Sequence, residues 1–244
     1  MFQSAAVSPH DLLRIRSAAD LRCDQPLPAW VYVSLQRACW VVVRRSLPHN
    51  EMVPVGVRGL SREQRFAVHV PISAVLDRVA PEQLVYHRGW EGTLRHRNLP
   101  AYQTLDLISH AMSDFGLVWG PTGSIGFEMA TGVATATMPS DLDLLIRAPR
   151  ELSRDLCRRI CARILERLPA RVDALIETGA GAIAFAEFAQ GNLPILFRSP
   201  AGPKLVYRPW EIADEHRLCF SRAGISGRGN VAFSPGSSSG ICHA

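Results

Sequence analysis

Apolar and polar positions alternate most clearly in Asp141-Leu142-Asp143-Leu144-Leu145-Ile146. In a strand, successive side chains face opposite sides, so Leu142, Leu144 and Ile146 share one face and Asp141, Asp143 and Leu145 the other. A second apolar run, Arg171-Val172-Asp173-Ala174-Leu175-Ile176, carries a third acid. Between the two, Leu152, Leu156, Ile160, Ile164 and Leu168 recur every fourth residue with arginines opposite, predicting a helix from Glu151 to Leu168 that stops at Pro169. A strand–helix–strand unit of this kind allows neighbouring parallel or mixed strands. Upstream, Leu105, Ile108, Met112 and Phe115 predict a helix after Pro100 that ends at Gly116. Downstream, Ala182 to Gln190 reads as a helix closed by Gly191. Ile195 to Phe197 and Leu205 to Tyr207 read as the arms of a hairpin.

The first hundred residues are mixed and turn-rich. Aromatic and β-branched runs at Trp30 to Ser34, Cys39 to Arg44 and Val53 to Val57 predict strands, punctuated by Pro26, Pro28, Pro48 and Pro54. Ser61 to Gln64 has the form of a helix start, with Ser61 as N-cap and Gln64 completing a capping box. Gly89 to Asn98 reads as a loop between two units. Between the Pro100 helix and the Asp-x-Asp strand lies the turn Gly120-Pro121-Thr122-Gly123-Ser124, followed by a short helix over Ile125 to Ala130 before Gly132, with Ser124 as its N-cap. From Ser221 onward the chain is Gly/Ser-rich and aperiodic, and is expected to be flexible. The expected fold class is α+β: a mixed sheet flanked by helices over residues 96–220, preceded by a smaller α+β unit over 1–95 and followed by a tail over 221–244.

At 244 residues and 47% hydrophobic content the chain can bury a real core. Its formal charge of +5 comes from dispersed arginines and favours an anionic partner without choosing among phosphates, an acidic protein and nucleic acid. The six cysteines form no Cys-x-x-Cys pair, which suits reduced thiols, and Cys157 and Cys161 are spaced for packing. With no signal-peptide pattern and no apolar run of membrane-spanning length, the expectation is a cytoplasmic protein with no membrane partner.

Two same-face carboxylates on an apolar strand repel one another and resist burial unless a cation lies between them. Asp141, Asp143 and Asp173, with a Gly-Ser turn nearby, suit two magnesium ions and a triphosphate. Gly123 allows close backbone approach, and the helix N-terminus after it favours an anion. Arg58, Arg62 and Arg65 could present three guanidinium groups to one anion; the alternative is a solvated basic face. No lysine follows Gly123, so the turn is not a Walker loop; Ser124 is not in a Gly-x-Ser-x-Gly elbow, and the histidines form no HxH or HExxH cluster. Glu128 receives no role.

Gly123-Ser124, Asp141-Leu142-Asp143 and Asp173 together resemble the signature of DNA polymerase β-type nucleotidyltransferases. The longer strings GPTGSIGFEMATG, PSDLDLLIRAP and RVDALIETGAGAIAFAEFAQG, with VPVGVRGLSREQRFAVHV and the HDLL of His10 to Leu13, resemble the malonate decarboxylase holo-acyl-carrier-protein synthases. The resemblance spans about His10 to Trp210. It implies transfer from 2′-(5″-triphosphoribosyl)-3′-dephospho-CoA to a serine of the apo acyl-carrier subunit of malonate decarboxylase, with pyrophosphate leaving and no nucleic acid involved. It implies magnesium, with manganese as the alternative, held by Asp141, Asp143 and Asp173, with Asp173 as the candidate general base. Gly123 and Ser124 would hold the terminal phosphates. A nucleotidyltransferase with another donor and acceptor, and a non-catalytic binding protein on the same fold, are the competing readings. The arginines Arg154, Arg158 and Arg159 are the candidate face for the carrier.

Overall fold

The computed structural model describes residues 7–47, 51–61, 63–86, 90, 98–164 and 168–212. Arg62, most of the expected 89–98 loop and the tail after Ser221 lie outside them. In chain order the elements are β1 (Leu12–Ile15), α1 (Ala29–Arg37), β2 (Trp40–Val43), β3 (Met52–Arg58), β4 (Arg65–Pro71), β5 (Val75–Val79), α2 (Pro81–Tyr86), α3 (Pro100–Ser113), β6 (Val118–Pro121), α4 (Gly123–Thr131), β7 (Leu142–Arg147), α5 (Arg154–Ile164), β8 (Val172–Glu177), β9 (Ala182–Ala184), α6 (Phe185–Gln190), β10 (Ile195–Ser199) and β11 (Gly202–Val206). The class is α+β, as the periodicities indicate.

Strands β4-β3-β2-β1-β5 form one antiparallel sheet, and β11-β10-β9-β8-β7-β6 form a second, mixed sheet. Each has its own buried cluster. Leu13, Val41, Val43, Val55, Val57, Val68 and Val70 fill the first. Tyr102, Leu105, Ile108, Leu142, Ile146, Ile176, Ile183 and Phe197 are among those that fill the second. Within the second sheet β7 and β8 are parallel neighbours joined through α5, and they pair Asp143 directly with Asp173.

Several sequence expectations fail for identifiable reasons. Trp30 to Ser34 is helical, not extended: Val31 and Leu35, one helical turn apart, are the buried residues, while Tyr32 and Val33 stay exposed. Its β-branched composition is overridden by that i, i+4 stripe. Ser61, Glu63 and Gln64 start no helix but lie in the connection between β3 and β4. There Gln64 Oε1 accepts from Leu60 N at 2.9 Å, and Gly59 N donates to Gln64 O at 2.8 Å. Ala182 to Ala184 is extended, because it pairs with both β8 and β10, and the helix begins only at Phe185. The long helix begins at Arg154. Strands β1, β4 and β5 are unexpected, since their apolar runs are short and interrupted by charge; Gly120 and Pro121, expected in a turn, instead end β6, where an edge position tolerates proline.

Candidate active site

A cavity of about 1030 Å³ lies between the two sheets. Its second-sheet wall is built on the Asp143–Asp173 pair. Strands in register stand about 5 Å apart, and two charges at that distance repel by roughly 3 kcal/mol at an effective dielectric of 20. Leu142, Leu144 and Ile146 are each at most 5% exposed. Burying each contributes roughly 1.5–3 kcal/mol, so the apolar side of the strand holds the acids in place against their repulsion.

Facing Asp143 is the N-terminus of α4. Thr122 N donates to Asp143 O at 2.8 Å, which docks the turn on β7. Gly123 follows at φ 59°, in the left-handed region, and a Cβ there would collide with the Asp143 carboxylate. Only glycine meets both constraints without strain. Thr122, not Ser124, is the N-cap, and its side chain makes no capping bond. The backbone sets this position: Thr122 is extended, whereas Ser124 is already inside the helix. Glu128, left without a role from sequence, is buried and accepts from Thr135 N and Ala136 N at 2.7 and 2.8 Å. It thereby ties the segment before Asp141 to α4.

Of the residues singled out from sequence, Gly123, Asp143, Asp173, Arg58 and Arg65 line this one cavity. Ser124 and Asp141 do not line it; Asp141 is half-buried and immediately precedes β7. Among the described residues no three His, Cys, Asp or Glu side chains are grouped as a metal cage. The donor set nevertheless fits a hard cation, because magnesium is commonly held by one or two carboxylates together with substrate phosphates and water. Asp143 and Asp173 supply that pair.

The sequence did not single out the links that hold the walls together. Arg45 grips Glu177 through two parallel bonds of 2.5 Å, joining the first sheet to the end of β8. Asp11, fully buried, accepts from Arg78 Nε at 2.6 Å, Arg147 at 3.0 Å and Ser8 N at 2.9 Å. Burial pushes the Asp11 carboxyl up, opposed by those three donors. Arg147 also donates to Pro9 O at 3.3 Å. A lone Asp or Glu in an apolar run gives no sign of a partner more than a hundred residues away.

Both side chains of the Arg45–Glu177 pair are nearly buried, at 12% and 9% exposure. Removing one partner strands the other charge. Glu177→Gln is therefore expected to lower stability by about 3 kcal/mol, with much of the loss recovered in the apolar double variant Arg45→Met/Glu177→Leu. Urea unfolding of the three proteins checks this; equal destabilisation by the single and double variants would contradict it.

His10, on the cavity wall, has φ 73° and donates its N–H to Val43 O at 2.9 Å. Burial, then the charges of Arg45 and Arg147, lower its pKa from 6.5 to about 4. The folded state thus binds fewer protons here than the unfolded chain. This stability is present above pH 6.5 and is lost as pH falls towards 4, on the order of 3 kcal/mol in full. The raised Asp11 group acts in the opposite sense, so the comparison is with His10→Gln. Melting temperature should fall more steeply between pH 6.5 and 4 in the parent than in that variant.

The arginines of α5 are partly committed to packing. Arg158 Nε donates to Ala189 O at 3.2 Å, and Arg154 lies 5.5 Å over the Phe188 ring, fastening α5 to α6. Cys157 is buried behind them, and burial, then Cys161, raises its thiol to about 11. That favours a packing role over reactivity.

Residues 8–81 match the family model for the phosphoribosyl-dephospho-CoA transferase MdcG N-terminal domain, and residues 91–209 match that for its C-terminal domain. The chain belongs to the phosphoribosyl-dephospho-CoA transferase family. The transferase is 40% identical over 214 residues to the phosphoribosyl-dephospho-CoA transferase of Pseudomonas aeruginosa, covering 88% of this chain and 99% of that one. It is 41% identical over 204 residues to the enzyme of that name from Azotobacter vinelandii, covering 83% and 93%. The Pseudomonas putida protein of the same name is 37% identical over 211 residues, covering 86% and 98%. No solved structure matches the transferase. Among its described residues no helix is long and apolar enough to cross a membrane.

Proposed function

We propose that the transferase moves the phosphoribosyl-dephospho-CoA group from 2′-(5″-triphosphoribosyl)-3′-dephospho-CoA to a serine of the apo acyl-carrier subunit of malonate decarboxylase. The observation that carries this reading, beside family membership, is the in-register Asp143–Asp173 pair, with Gly123 packed against Asp143, on the wall of one cavity. The serine Oγ attacks the α-phosphorus, the bond from that phosphorus to the bridging oxygen breaks, and pyrophosphate leaves. Asp173 accepts the serine proton. The α4 N-terminus offers backbone N–H groups and a positive dipole end to the outer phosphates, with Gly123 allowing their approach. Asp143 and Asp173 would hold magnesium, with manganese the alternative, and the ion would supply charge neutralisation at the phosphates and a lower pKa for the attacking hydroxyl. Asp141, just ahead of β7, would add a third carboxylate. The arginines opposite bind the rest of the donor, and the protein works in the cytoplasm.

The test is to incubate the full chain with donor, magnesium and apo carrier, and to weigh the carrier. A mass gain of one phosphoribosyl-dephospho-CoA with equimolar pyrophosphate is expected. Modification from ATP but not from this donor would overturn the proposal.

A further inference from the structure

The cavity has two chemically opposite walls, and the carboxylate wall accounts for only one end of the donor. The first sheet turns one face to its own core through Val43, Val55 and Val68, which are cross-strand neighbours. The next row, Val42–Gly56–Ala67, faces the other way, into the cavity. Its small side chains leave a shallow floor. Arg58 and Arg65 are direct cross-strand partners two residues further along, so they share that face. Arg44 approaches from the other side, its stem over Gly56: a Cβ at position 56 would meet Arg44 Cδ at 3.5 Å. All three arginines line the cavity.

The availability of these charges is uneven. Arg45 is already occupied by Glu177. Arg44 and Arg65 make no ion pair among the described residues. A guanidinium fork matches the geometry of a phosphate.

We propose that this arginine-rimmed floor is a second anion site, which holds the 5′-diphosphate of the dephospho-CoA half of the donor. It is separate from the Asp143–Asp173 wall where the triphosphate is cleaved. This rests on the donor named above, which carries two anionic groups. The carboxylates and the Gly123 turn take the one that reacts, and the arginine floor takes the other. The neighbouring small residues Gly56 and Ala67 leave room for the nucleotide or pantetheine portion beside it.

Calorimetric titration of the full chain separates the two sites. The probes are 3′-dephospho-CoA, pantetheine (which lacks the diphosphate) and tripolyphosphate with magnesium. Arg44→Gln and Arg65→Gln are each expected to weaken dephospho-CoA binding by at least about 10-fold, as loss of a charge-assisted bond does, and to change tripolyphosphate binding less than about 2-fold. Pantetheine should bind the parent at least about 10-fold more weakly than dephospho-CoA. Asp143→Asn should weaken tripolyphosphate and spare dephospho-CoA. Gly56→Leu, which fills the floor without removing a charge, should also weaken dephospho-CoA, and its melting curve verifies folding. If Arg65→Gln does not fold, Arg44→Gln and Gly56→Leu decide the matter. Unchanged dephospho-CoA affinity in those variants, or equal losses for both ligands, overturns the second site. Transfer to the carrier with unchanged dephospho-CoA affinity would leave the proposed function standing without this site. The reverse result, selective loss without transfer, would do the opposite.

Discussion

Asp143→Asn is expected to lower transfer to the carrier by about 10³-fold or more while leaving the melting temperature nearly unchanged. The substitution keeps the shape of the side chain that packs beside Gly123, but replaces an anionic oxygen donor with a neutral amide. Stabilisation of phosphate charge by a bound cation is worth several kcal/mol, and each 1.36 kcal/mol is tenfold in rate. Asp173→Asn should behave alike, since its Cα is the direct partner of Asp143. Removing one of two facing charges also relieves their repulsion, so neither apo variant should be less stable than the parent by more than about 1 kcal/mol. The measurement is pyrophosphate release under single turnover, beside a thermal melt. Turnover within tenfold of the parent in either variant would show that the pair does not hold the cation at the reacting phosphates.

Gly123→Val is expected to abolish donor binding and also to cost stability, a combination the aspartate variants should not show. At φ 59° a β-branched residue is strained, and its Cβ would displace the Asp143 carboxylate. The two penalties together should cost about 2–4 kcal/mol of folding free energy. Ser124→Ala is the control. Ser124 lies one residue into α4 and does not line the cavity, and the bond it makes there is through its carbonyl, which accepts from Thr135 Oγ1 at 2.8 Å. Deleting its hydroxyl should therefore change donor affinity less than about threefold. Titrating the triphosphate donor into both variants checks the ordering. A larger loss in Ser124→Ala would place the phosphates on the hydroxyl and not on the turn.

Local pattern was enough for the strand–helix–strand unit of the second sheet. The alternation in Leu142–Arg147 and the i, i+4 spacing of Leu156 and Ile160 each specify a backbone state through near neighbours. Where local signals compete, sequence reading misassigned the element. Val31 and Leu35 made a helix of β-branched residues, and pairing on both sides made a strand of Ala182–Ala184.

The strand–helix–strand unit, the left-handed glycine at 123 and the acids beside them were legible from local pattern, because each rests on periodicity or on a backbone conformation that few residue types permit. Which residues share a site depends on how the two sheets come together. Register between β7 and β8 sets Asp143 beside Asp173 and leaves Asp141 off the wall. The other face of a distant sheet supplies Arg44, Arg58 and Arg65 opposite them. Asp11 and Glu177 became buried anchors through arginines 136 and 132 residues away. Such contacts are fixed by how two sheets pack, and packing is a property of the whole chain that no single window of sequence carries.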